Sequence, residues 1–222
     1  MFDMLEKTML TEIVQIQKEL NTADFVVEID GQIYGEIHVD GDFVTGRGFV
    51  VGNYNGTKFQ LTPQTLGLIE NGKKYKPHTI NIDNKLVGGV YQTTVSTGLF
   101  SSMDYHYMNL YDKAYELYGI GLGKDGFANC LYWHDKQLAE INTDMVVYND
   151  LHRYHIYTEK KEDVLLCILY CMYMYVLTAF LPGRKVVKSV EKHYLKSTNR
   201  KLLAKYNPDF KKKCEGVKVG KV

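Results

Sequence analysis

Tyr154 to Leu181 reads YHIYTEKKEDVLLCILYCMYMYVLTAFL, and its apolar part decides the fold. Val164 to Leu181 is a run of 18 residues with no charge, no Gly and no Pro. The charged turn Glu159-Lys160-Lys161-Glu162-Asp163 precedes it and places acids where a helix N-terminus favours them. Pro182-Gly183 follows, a stop signal. As a helix the run would span about 27 Å, a borderline length for a bilayer. Its flanks argue against crossing. The N-terminal stretch lacks a basic n-region and an apolar h-region, so what precedes the run is expected in the cytosol. The strongly positive stretch after it also prefers that side. A helix apolar all round that does not span is buried in protein. Ile168 and Met172, one turn apart, are therefore expected in the core. Tyr170, Tyr173 and Tyr175 then need hydroxyl partners there.

Upstream, from Phe25 to Tyr157, the punctuation is all-β. Asp30-Gly31, Asp40-Gly41, Asn55-Gly56, Asn71-Gly72 and Asp125-Gly126 are Asx-Gly pairs, which suit the positive φ of type I′ turns. Phe25–Ile29 and Gln32–Val39 bracket the first as a hairpin, and Phe49–Tyr54 and Lys58–Leu61 bracket the third. Further strands are expected at Tyr105–Tyr111, Glu116–Gly121, Ala128–Trp133, Gln137–Ile141, Met145–Tyr148 and Tyr154–Thr158. Short strands at this spacing indicate a sandwich or a barrel. The 18 tyrosines and nine phenylalanines fit pleated, half-buried surfaces. The N-terminal segment is ambiguous. Phe2, Leu5, Met9, Ile13, Ile16 and Leu20 recur at helical spacing, which favours a helix, while Ile13 to Gln17 also reads as a strand.

Three stretches carry a resemblance. They are Cys130–Ile141 (CLYWHDKQLAEI), Tyr154–Leu177 (YHIYTEKKEDVLLCILYCMYMYVL) and Phe25–Ile37 (FVVEIDGQIYGEI). In its strand pairs, charged turn and closing apolar helix the chain resembles the tubby C-terminal-like superfamily, which includes tubby proteins, phospholipid scramblases and LURP-one-related proteins. The resemblance implies a fold that is mainly β with α: a closed antiparallel β-barrel around a buried C-terminal hydrophobic helix. It also implies binding rather than chemistry, since tubby proteins bind phosphoinositides and scramblases act at membranes. The chain departs from the pattern in its basic helical extension, and no lipid-binding residue carries over by position. The expected organisation is a tubby-like barrel over residues 1–182 with its central helix at 164–181, then a basic extension over 183–222.

Composition bounds the rest. A chain of 222 residues suits one large domain or two small ones. Cys130, Cys167, Cys171 and Cys214 are too scattered for a disulfide framework, which points to a reducing, cytoplasmic setting. The net charge of +1 hides an asymmetry. Residues 183–222 carry 13 bases against three acids, a net of +10, which leaves 14 bases against 23 acids, a net of −9, on residues 1–182.

No catalytic motif stands out. Gly121-Leu122-Gly123-Lys124-Asp125-Gly126 matches G-x-G-x-x-G, but a dinucleotide site needs a helix after it and Phe127–Trp133 reads as a strand, so a hairpin turn is expected. His152 and His155, three apart on a strand, face opposite sides, and His134 beside Asp135 lacks the three or four ligands a metal needs. Cys167 and Cys171 share one helix face but sit in an apolar run as small hydrophobes. Asp104 and His106 with Ser101 and Ser102 lack a nucleophile context. No cofactor or metal is expected. An enzyme with an unrecognised site is the rival class.

The basic extension carries the functional signal. Arg184, Lys185, Lys188, Lys192, Lys196, Arg200, Lys201 and Lys205 recur every few residues, with Val187, Val190, Tyr194, Leu202 and Leu203 between them. Such a segment can lie on anionic phospholipid as a peripheral membrane contact. It can also meet nucleic acid, a weaker reading, or a protein partner, or dock as a solvated helix on the acidic body.

Overall fold

The computed structural model describes residues 9–42, 47–64, 69–70, 73–74, 77–98, 101–122, 127–144, 151–178 and 200–216. The strands are β1 (Met9–Lys18), β2 (Thr22–Ile29), β3 (Gln32–Asp42), β4 (Arg47–Tyr54), β5 (Thr57–Pro63), β6 (Ile69–Glu70), β7 (Lys73–Lys74), β8 (His78–Ile82), β9 (Lys85–Gly98), β10 (Ser101–Leu110), β11 (Lys113–Gly121), β12 (Phe127–Trp133), β13 (Lys136–Thr143) and β14 (Arg153–Thr158). The helices are α1 (Asp163–Thr178), α2 (Arg200–Leu203) and α3 (Phe210–Cys214). All strands but the small β6-β7 pair join one closed antiparallel barrel. Each strand pairs with its neighbours along the chain, and β1 pairs with β14 to close the wall, Ile13 opposite Tyr154. Closure leaves no free edge.

The two ends of the barrel differ. At one end β2-β3, β4-β5, β8-β9, β10-β11 and β12-β13 are joined by two residues each. Every non-Gly residue with positive φ among the described residues lies there: Asp30, Asn55, Asp83, Asn84, Tyr111, Asp112 and His134. At Asp30-Gly31, Asn55-Gly56, Asp83-Asn84 and Tyr111-Asp112 both central residues have positive φ, the twist that hairpin strands require. The opposite end carries the longer connections, including β6-β7, beside the short β1-β2 and β9-β10 links.

α1 threads the barrel from the tight-turn end. Twelve strands ~4.8 Å apart and tilted ~40° enclose a cylinder about 24 Å across. That admits a helix of about 10 Å plus one layer of wall side chains on either side. Residues all round α1 are buried, Ile168 and Met172 completely. The apolar run is thus core, as its sequence indicates. α1 ends at Thr178, and residues 179–181 lie outside the described residues. No described helix is long and apolar enough to cross a membrane.

The tyrosines of α1 find their partners on the wall. Gln15 Nε2 on β1 donates to Tyr175 Oη at 2.9 Å, and Phe25 on β2 meets the Tyr175 ring edge-on at 4.8 Å. Tyr170 Oη lies 3.3 Å from His106 Nδ1 on β10. His78 on β8 packs edge-on against Tyr173 at 5.3 Å, and the Gln92 backbone on β9 bonds the Tyr173 hydroxyl. Gly48 on β4 lets the helix approach. A Cβ there would lie 2.6 Å from Val176 Cγ1, and the Gly48 carbonyl accepts from His78 Nε2 at 2.9 Å.

Two local expectations are corrected. The N-terminal segment is a strand from Met9, not a helix. Its register shifts between Gln15 and Gln17, so Ile16 is the extra residue of a β-bulge and points outward, 56 % exposed. That bulge makes an alternating strand look helical, because it moves one apolar residue out of phase. Asp40-Gly41 is not a turn. It lies within β3, with Gly41 opposite Gly48 on β4. The expected turns Asn71-Gly72 and Asp125-Gly126 and the expected strand Met145–Tyr148 lie outside the described residues.

Candidate functional site

Two outer surfaces carry polar chemistry. The first is the outside of β10–β14, where the C-terminal segment docks. Tyr105, Tyr118 and Tyr132 stack across three strands, with ring centroids 5.8 and 4.8 Å apart. Leu202 and Tyr206 pack on this cluster, and Phe210 and Cys214 of α3 pack on Tyr157. Polar contacts fix the segment. Lys205 Nζ reaches Asp135 Oδ1 at 2.7 Å and Glu116 Oε2 at 4.0 Å. The Asn207 amide donates to Gln137 Oε1 at 2.9 Å, and Tyr206 Oη donates to Glu140 Oε2 at 3.4 Å. Lys211 Nζ stands 4.9 Å from the Tyr157 ring centre. The hydrogen bond and charge of Lys205 pull the Asp135 carboxyl below its ordinary value. Burial pushes Glu140 up, against the opposing pull of Asn142, Lys211 and Tyr206.

The second surface is a groove of about 630 Å³ outside β2–β5 and β8. Antiparallel register builds it. Asp24 pairs with His38, which pairs with Val51, then Gln60, then Asn81, in one row across five strands. A second row runs Val26, Glu36, Asn53, Lys58. His38 Nδ1 lies 2.7 Å from Asp24 Oδ1. The bulged Ile16 forms one wall. None of these residues stands out in the sequence. Their signal is alternation within hairpins already legible, where Asp24, Glu36 and His38 fall on the outward phase, but the rows exist only once the strands pair.

The expected site residues fall as follows. Arg184, Lys185, Lys188, Lys192 and Lys196 lie outside the described residues. Arg200 and Lys201 open α2. Gly121 ends β11, Phe127 begins β12, and Gly123–Gly126 are not described, so the glycine stretch joins two strands. His152 and His155 do face opposite ways. The His152 ring meets Tyr175 inside the barrel at 5.6 Å. His155 stands on the outer wall, Nδ1 3.0 Å from Glu12 Oε1 and Nε2 2.7 Å from Asp144 Oδ1. His134 and Asp135 form a tight turn. Cys167 and Cys171 are buried and free, and burial pushes both thiols well up, away from the reactive thiolate. His106 faces α1 from inside the barrel. No group of three or more metal-ligating side chains converges among the described residues. Compared with protein-family models, curated proteins and solved structures, the chain has no match.

Proposed function

We propose that the protein is a non-enzymatic binding module that associates with anionic phospholipid surfaces through its basic extension, carried on a tubby-like barrel. The single observation behind this reading is where the extension is held. α1 leaves the barrel at Thr178, and the chain is anchored again on the outer wall at 200–216, with Lys205 on Asp135. The intervening residues 179–199 carry Arg184, Lys185, Lys188, Lys192 and Lys196 against the single acid Glu191. Lys205, Lys211 and Lys212 already face carboxylates of the wall or of their own segment, so the cations for a lipid surface are those from Arg184 to Lys201. Each contributes about 1 kcal/mol near an anionic surface. The barrel interior is filled by α1, which supports a binding role at the outer surface. The family resemblance points the same way, and the reading carries with it a cytoplasmic location with peripheral membrane contact.

Co-sedimentation with vesicles tests the reading. The chain should pellet with vesicles rich in phosphatidylserine, release as salt rises, and ignore phosphatidylcholine alone. The triple variant Lys188→Glu, Lys192→Glu, Lys196→Glu should lose binding at an unchanged melting temperature. Equal pelleting of wild type and variant on both vesicle types would sink the proposal. A nucleic-acid or protein ligand that needs the same lysines, with no vesicle binding, would replace it.

A further inference from the structure

We propose that the outer groove over β2–β5 is a docking surface for a cationic, apolar-bearing polypeptide segment of a partner protein. Charge is the first argument. Residues 9–42 carry eight acids and one base, Lys18, a net of −7 in a chain whose total is +1. Asp24 and Glu36 line the groove itself against the single lysine Lys58, with His38 on Asp24 at 2.7 Å. Glu28 on β2 extends the acidic face beside it, and Glu12 opposite it is already met by Arg153 at 3.7 Å and His155 at 3.0 Å.

Shape and apolar content are the second argument. Ile16, thrown outward by its bulge, and the exposed Val51 flank the groove, and Ile33 and Tyr34 are exposed at the tight-turn end of β3. A volume of about 630 Å³ suits several side chains of a peptide rather than a single ion. Asn53, Gln60 and Asn81 offer amides to a peptide backbone. The barrel has no free edge, so strand addition is closed to a ligand and recognition must run through these side chains. The third argument is vacancy among the chain's own described contacts. Among the described residues, the segment 200–216 packs over β10–β14 and not over the acid-bearing strands β1–β3.

The test is fluorescence anisotropy of the full chain with a short labelled peptide of alternating lysine and leucine, and a glutamate–leucine peptide beside it. The lysine peptide should bind, with affinity falling at least about tenfold between roughly 50 and 500 mM salt. Binding should vanish in Asp24→Lys/Glu36→Lys and weaken in the milder Asp24→Asn/Glu36→Gln, both checked for an unchanged melting temperature. It should survive in Glu159→Lys/Glu162→Lys, which changes the net charge equally on the turn before α1. Equal loss in that control, or equal binding of the glutamate peptide, overturns the proposal. So does no binding to the wild type. If binding then appears in Lys188→Glu/Lys192→Glu/Lys196→Glu, the occupant is the chain's own extension and not a partner.

Discussion

Gln15 faces the barrel interior and touches two elements at once. Its Nε2 donates to Tyr175 Oη on α1, and its Oε1 accepts from the His152 amide, each at 2.9 Å. Replacing it with Leu roughly keeps the volume but removes both hydrogen bonds, each worth ~0.5–1.5 kcal/mol net. Gln15→Leu is therefore expected to lower unfolding free energy by about 2 kcal/mol or more in urea titration, with the slope unchanged. A loss under about 0.5 kcal/mol would mean that water reaches this site. The same residue shows where sequence reading stops. A Gln at an inward position breaks the apolar alternation of β1, and the bulge at Ile16 then shifts the phase. Leu20, 74 % exposed, completes a helical spacing that no helix uses. The Tyr175 partnership spans 160 residues of chain, a distance at which local pattern carries no information.

Turns and close approaches operate at the scale of elements. Asp30-Gly31 and Asn55-Gly56 were legible because their residues accept positive φ, and the hairpins around them form as expected. Tyr111-Asp112 was not, because tyrosine is disfavoured at φ 47° and only the pull of two long paired strands holds it there. Tyr111 is largely exposed, so Tyr111→Asn should raise stability by about 0.5–1 kcal/mol. Chemical denaturation checks this, and a loss would show that the Tyr111 side chain packs more than its exposure implies. The approach of α1 to β4 gives the opposite sign. Gly48→Ala places a methyl group against the branched Val176. Overpacking of this kind costs ~1–3 kcal/mol. The double change Gly48→Ala/Val176→Ala should recover part of that loss in melting temperature, since it removes the opposing methyl groups. The apolar helix itself was plain in the sequence because nothing in Val164–Leu181 suits water, whereas the groove's rows needed the pairing of five strands to exist.

Over the whole molecule, the docked C-terminal segment couples folding to pH through two carboxyls shifted in opposite directions. Burial, the largest influence, raises Glu140. The stability linked to it is complete below the ordinary Glu value of ~4.3 and is lost as pH rises through the raised value. Glu140→Gln should therefore melt above wild type at neutral pH, with the gap closing as pH falls below about 4. Lys205 lowers Asp135. Its contribution is present above the ordinary Asp value of ~3.9 and is lost as pH falls through the depressed value. Asp135→Asn should flatten the acid side of the melting curve and loosen the segment, read as faster proteolysis near Lys205. No change in either variant would mean that the segment contributes nothing to the cooperative unit.

Closure of β1 on β14, with α1 following both, has a consequence for how the chain is made. A ribosome delivers the first strand of the wall long before the last. At ~5–20 residues per second, the open side of β1 waits on the order of ten seconds for its partner. Through that interval the growing sheet has two bare edges, each able to pair with a stranger, and no filling for its concave side. Chaperones that hold extended segments have their opening then. Chains halted by stalling before Thr158 would keep those edges permanently, so degradation must dispose of them rather than refolding.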